Sequence, residues 1–153
     1  MEEFRVPQQE VPVEIRLRDG REFTGHMFVP VVGTNVQPEP LVDRLNDADR
    51  FLPVTRDGEF EMVNKRCIVL VRQRGPVPRS LDGASLERVL SVDLDKGGIV
   101  EGRVRYLMPH ERSRLLDFLN VAPRFIELVD DNVRTLVNSD FVMRIRTLTP
   151  DPA

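Results

Sequence analysis

The sequence predicts a mainly β protein: two tandem five-stranded small barrels, each with one short helix inserted between its second and third strands. Three observations carry that prediction. Apolar and polar residues alternate in short runs, which marks half-buried strands. Asp-Gly and Gly-Gly pairs separate those runs, as tight turns between antiparallel strands require. The stretch Leu41–Phe51 recurs as Leu115–Phe125 at an offset of 74, with seven of eleven positions identical in the form L-x-D-x-L-N-x-A-x-R-F. The offset persists downstream, where Met62-Val63-Asn64 matches Leu136-Val137-Asn138. A repeat of this length marks one supersecondary unit used twice. Five strongly bent strands curl into a barrel, which also protects their edges.

The 153 residues divide accordingly into a flexible arm (1–10), a first repeat (11–72), a linker (73–85), a second repeat (86–148) and a tail (149–153). A unit of about 60 to 70 residues is near the lower size for a self-sufficient core, so the copies are expected to pack together or to lean on a partner. Apolar residues make up 41% and charged ones 31%, which places the chain in the soluble globular class. Net charge is −3, and neither copy has the basic footprint of a nucleic-acid module. Only Lys65 and Lys96 are lysines against twenty arginines, a bias that reads as genome composition before phosphate recognition. The single cysteine, Cys67, excludes an intrachain disulfide; copy two has Phe141 there, so Cys67 reads as a small core hydrophobe. The acidic start and the lack of a long apolar run lead to the expectation of a cytoplasmic chain without membrane insertion.

Taken in order, Val11, Val13, Ile15 and Leu17 alternate with polar neighbours as a first strand, and Asp19-Gly20 turns the chain. Glu22 to Val29 returns, with Gly25 placed where the sheet bends or another backbone comes close. Residues 30–40 are an almost uncharged loop rich in breakers. Leu41 to Asn46 is a short helix, Phe51 to Thr55 a third strand, Phe60 to Val63 a fourth and Cys67 to Arg72 a fifth, with Asp57-Gly58 turning between third and fourth. Copy two repeats the set. Its first strand centres on Leu90, Val92 and Leu94, and Ile99 to Tyr106 carries Gly102 at the place of Gly25. A helix follows at Glu111 to Leu119, then strands at Phe125 to Val129, Thr135 to Val137 and Phe141 to Thr147. Phe51 and Phe125 are expected to be buried at equivalent places.

The repeated polar residues have structural readings first. Asp43 with Arg50, and Asp117 with Arg124, are expected to form an ion pair from helix end to next strand, with ligand binding as the alternative. Asn46 and Asn120 sit where helices stop, and Asn64 and Asn138 in the turn between strands four and five; asparagine suits left-handed dihedrals and local backbone bonds. His26 and His110 do not recur, and with Cys67 they make no zinc set. No catalytic triad, P-loop or dinucleotide fingerprint is present. The expectation is therefore no catalytic, metal or cofactor site. The fifth strand of copy one is apolar on both faces, and a strand of that kind is covered on both. Ile68 and Leu70 should lie against the other copy, against a second chain, or under the 30–40 loop, whose Val31, Val32 and Val36 complete a candidate interface.

The pattern V-x-I-x-L-x-D-G-x-x-F-x-G in Val13 to Gly25, with Met-Val-Asn-x-x-x-Ile-x-x-Val in Met62 to Val71, resembles the Sm-like family, Hfq and LSm proteins among them. That resemblance implies an SH3-like small barrel of Sm type, and the repeated Leu-Asn, Arg-Phe and Val-Asn core resembles a bacterial small-barrel domain. The chain departs from the family's RNA-contacting segments: Asn64-Lys65 and Asn138-Ser139 stand where an Arg-Gly or Lys-Gly pair would be. The functional expectation is a non-catalytic protein-interaction or assembly module, or scaffold, of a bacterial cytoplasmic complex, with a protein partner and self-association within its range. The alternative is an Sm-like RNA-binding protein, to which Arg72, Arg74 and Arg79 would contribute.

Overall fold

A computed structural model of the chain describes residues 8–32, 37–38, 40–77, 86–107 and 114–148. The chain is mainly β and antiparallel throughout, and it divides into two compact units, Met1–Gln73 and Arg74–Ala153.

In the first unit, β1 (Gln8–Leu17) pairs with β2 (Glu22–Val32), and β2 pairs with β4 (Phe51–Arg56). Strand β4 pairs with β5 (Glu59–Asn64), and β1 pairs on its other side with β6 (Ile68–Arg74). The strand order is therefore β6-β1-β2-β4-β5, with the two-residue β3 (Gln37–Pro38) added to the end of β2. The alternation read from the sequence is realised: Val11, Val13 and Ile15 are buried, and so are Met27, Val29, Leu52, Val54 and Val63. Helix α1 (Leu41–Asn46) buries Leu41 and Leu45, one helical turn apart, on this core. The arm is shorter than expected, because Gln8 to Glu10 already pair with Pro30 to Phe28. Residues 1–7 lie outside the described residues.

The second unit runs β7 (Leu86–Leu94), β8 (Ile99–Tyr106), α2 (Leu115–Val121), β9 (Phe125–Val129), β10 (Val133–Asn138) and β11 (Val142–Thr147). Its order is β11-β7-β8-β9-β10, strand for strand that of the first unit. In both units the fifth strand begins after one 3-10 turn, at Lys65–Cys67 and Ser139–Phe141. Part of the expected second helix, residues 111–113, lies outside the described residues, as do 78–85 of the linker and 149–153 of the tail. Linker residues Gly75 and Val77 donate N–H bonds to the Asn132 and Asp131 carbonyls at 2.8 and 3.1 Å, so this part of the linker is tied to the β9–β10 turn.

Two turn features explain why these sequences close these hairpins. Asp57 (φ 53°) and Gly58 (φ 79°) both take left-handed dihedrals, as a two-residue hairpin turn demands. Gly25 lies where β2 meets β4, and a Cβ there would stand 2.8 Å from the Thr55 carbonyl oxygen. Gly102 has the matching role against Leu128 and Val129, at 3.0 and 3.3 Å. Each glycine lets two backbones approach within a distance that a side chain would forbid.

Candidate interaction edge

The β4–β5 hairpin has one buried and one open face. Leu52, Val54 and Val63 point into the core, whereas Phe51 (50% exposed), Phe60 (61%) and Met62 (70%) stand out on the other side. Phe28 of β2 lies on that same side, its ring centroid 6.3 Å from that of Phe60. The expected burial of Phe51 is thus corrected, while Phe125 is 1% exposed as expected. Their registers agree: Phe51 opposes Asn64 and Phe125 opposes Asn138. What differs is the cover over that face, since all of Thr135 to Asn138 on β10 is buried while Phe60 and Met62 on β5 are exposed.

Hydrogen-bond phase then fixes which β5 groups face outward. The Lys65 N–H donates to the Arg50 carbonyl at 3.0 Å, which makes Phe51–Asn64 a non-hydrogen-bonded pair, flanked rather than joined by ladder bonds. The register continues without a bulge, so Pro53–Met62 and Thr55–Phe60 are of the same kind. The backbone N–H and C=O of Phe60 and Met62 therefore point away from β4, where no described strand of the first unit pairs with β5. Pro53 fits this phase, because its missing N–H would not have served β5. The strand carries charge at Glu59 and Glu61 but contains neither lysine nor proline, which most often block an exposed edge.

The end of the hairpin is anchored by Lys65, whose role the sequence pattern does not mark. The Lys65 side chain is 5% exposed; its Nζ donates to the Arg44 carbonyl at 2.8 Å and to Asp47 Oδ1 at 2.5 Å. Arg44 lies in the last turn of α1, where backbone carbonyls lack helical partners and favour a cation. Partial burial pushes the Asp47 carboxyl upward, but the bonds from Lys65 and from the Asp49 N–H, with attraction to Lys65 and Arg44, outweigh it and hold the pKa below its ordinary value. The available sequence signal was one lysine among arginines at a place where copy two has Ser139.

Beside β5 a cavity of about 660 Å³ opens at the ends of the strands, with Leu17, Phe23, Val63 and Cys67 among its walls. Arg56 lies over the Phe23 ring, 4.8 Å from its centroid, and pairs with Glu61 at 3.2 Å. The other charges of the rim are also engaged: Arg16 with Glu22 and Arg21 with Asp19, both at 2.7 Å. The Arg16 hydrogen bond holds Glu22 below its ordinary pKa.

The repeated polar residues are placed as follows. Asn64 Oδ1 accepts from the Arg66 N–H and Asn138 Oδ1 from the Asp140 N–H, each at 3.0 Å, so both cap the 3-10 turn that follows. Asn46 ends α1 and Asn120 is the penultimate residue of α2, yet neither takes a left-handed dihedral; Asp47 and Ala122 stop the helices in extended conformation. The expected Asp43–Arg50 and Asp117–Arg124 ion pairs do not form. Asp117 pairs with Arg114, one helical turn away, at 3.1 Å, and Arg124 with Asp140 at 3.1 Å. Asp43 and Arg50 are both exposed. Ile68 and Leu70 are buried, 0% and 1% exposed. Val31 and Val32 end β2, paired with Pro38 and Gln37, and Val36 lies outside the described residues.

Among the described residues no group of three or more His, Cys, Asp or Glu side chains could hold a metal ion, and no helix is long and apolar enough to cross a membrane. Compared with protein-family models, curated proteins and solved structures, the chain matches none.

Proposed function

We propose that this chain is a protein-interaction module that receives an extended segment of a partner on the open edge of β5. The observation that carries the reading is the coincidence at Phe60 and Met62 of outward-facing backbone groups with exposed side chains. Backbone bonds to an added strand supply affinity, and alternate side chains supply selectivity. We read each unit as one copy of a duplicated five-stranded small barrel of Sm-like pattern. The support is the shared strand order, the shared Asn-capped turn and the paired glycines, Gly25 and Gly102.

The RNA-binding alternative has less support. Arg16, Arg21, Arg44, Arg56, Arg103, Arg124 and Arg134 are engaged with carboxylates, so they do not form a free basic patch. Arg72 is half-buried and Arg74 exposed, while Arg79 lies outside the described residues.

The test is affinity capture with the wild type and with Phe60→Ser/Met62→Ser, a double variant on an exposed face. A partner captured by the wild type and lost by the variant at unchanged stability is the expected result. An identical captured set would overturn the reading.

A further inference from the structure

The cavity beside β5 has a feature that bears on what the added strand carries. Its Cys67 occupies the same backbone position as Phe141 of the second unit: the Cys67 carbonyl accepts from the Arg18 N–H at 2.8 Å, and the Phe141 carbonyl from the Asp95 N–H at 2.7 Å. The first unit thus has a thiol where the second has an aromatic ring, beside walls of Leu17, Phe23 and Val63. The volume of about 660 Å³ falls in the range of ligand pockets and exceeds one side chain. The arginines of its rim are held by Asp19 and Glu61, so the rim presents no free cation to an acidic ligand. The adjoining hairpin carries Asp57 and Glu59, both exposed carboxylates. An aromatic side chain suits the cavity, and basic neighbours suit the hairpin.

We propose that the partner segment is an extended basic strand whose aromatic side chain enters this cavity as its backbone adds to β5. The proposal rests on the strand-addition reading above and adds the chemistry of the partner. An apolar ring moved from water into such a cavity gives roughly 10- to 100-fold in affinity over alanine. Attraction between lysines and the exposed Asp57 and Glu59 weakens as salt screens it.

Three capped peptides test this on the full chain: acetyl-Lys-Val-Phe-Val-Lys-amide, its Phe-to-Ala form, and a form with Glu in place of both Lys. Binding is followed by calorimetry, and site by amide exchange at Phe60 and Met62 and by NMR shifts at Phe23 and Cys67. The first peptide should bind at least about tenfold more tightly than the other two, slow both amides and shift both cavity residues. Cys67→Phe, which copies the second unit's residue, should remove the preference for Phe over Ala. The peptide series needs no variant, so it decides the matter even if that substitution unfolds the chain. Equal binding of the Phe and Ala forms with slowed Phe60 and Met62 amides would overturn the cavity proposal and leave strand addition standing. Cavity shifts without slowed amides, or no binding of any peptide, would overturn the proposal together with strand addition of such segments. Binding of the Glu form as tightly as the Lys form would overturn the basic character. Concentration-dependent self-association that competes with the peptide would replace it by a second copy of the chain.

Discussion

Replacing Lys65 by methionine keeps an apolar stem of similar length and deletes only the ammonium. Two bonds disappear, to the Arg44 carbonyl and to Asp47. Hydrogen bonds to charged groups are worth about 1.5–3 kcal/mol each. Part of that returns, because the Asp47 side chain is 34% exposed and rehydrates once freed. A net loss of about 2–3 kcal/mol is expected, which for a chain of this length lowers Tm by roughly 5–10 °C. Urea denaturation at neutral pH measures it as a shift in midpoint at constant slope. The loss also has a definite pH dependence. The Asp47 pKa is depressed in the folded chain, so its stabilising share is complete above the unfolded value and disappears as pH falls through the folded one. The gap between wild type and Lys65→Met should therefore narrow on acidification below the ordinary carboxylate range, leaving the share due to the Arg44 carbonyl. A midpoint change equivalent to less than about 0.5 kcal/mol, or a gap unchanged down to acid pH, would contradict this role of Lys65.

Three further substitutions separate equivalent positions. Phe125→Ala should cost about 3–5 kcal/mol, and Phe51→Ala less than about 1, both read by urea unfolding. Gly25→Ala forces a Cβ to within 2.8 Å of the Thr55 carbonyl and should cost about 1–3 kcal/mol, with faster amide exchange across the β2–β4 pairing. Asn138→Ala removes a buried cap and should cost about 1–2 kcal/mol in thermal unfolding.

The sequence showed the strands well because their signal is local. Val11, Val13 and Ile15 alternate, Asp57-Gly58 can hardly do other than turn, and Gly25 reports a close backbone by lacking a side chain. Burial of Phe51 was not legible. Its register equals that of Phe125, but exposure depends on what covers a face, and a repeat transmits register without transmitting cover. The Asp117–Arg124 pairing failed for a related reason: sequence spacing brings no guanidinium to a carboxylate that has a closer cation, as Asp117 has in Arg114. Burial of Lys65 is not written in the sequence, because exposed lysines are the common case and only the helix end beside it makes burial tolerable. The open β5 edge emerges from pairing order and hydrogen-bond phase, neither of which a single strand's residues contain.

That edge is tested most directly by Met62→Pro. The Met62 N–H faces away from β4, so proline deletes one outward donor and no bond of the hairpin. The expected result is an unfolding midpoint within about 0.5 kcal/mol of wild type together with loss of the partner that the wild type captures. Unaltered capture by a folded Met62→Pro chain, or collapse of its stability, would contradict it.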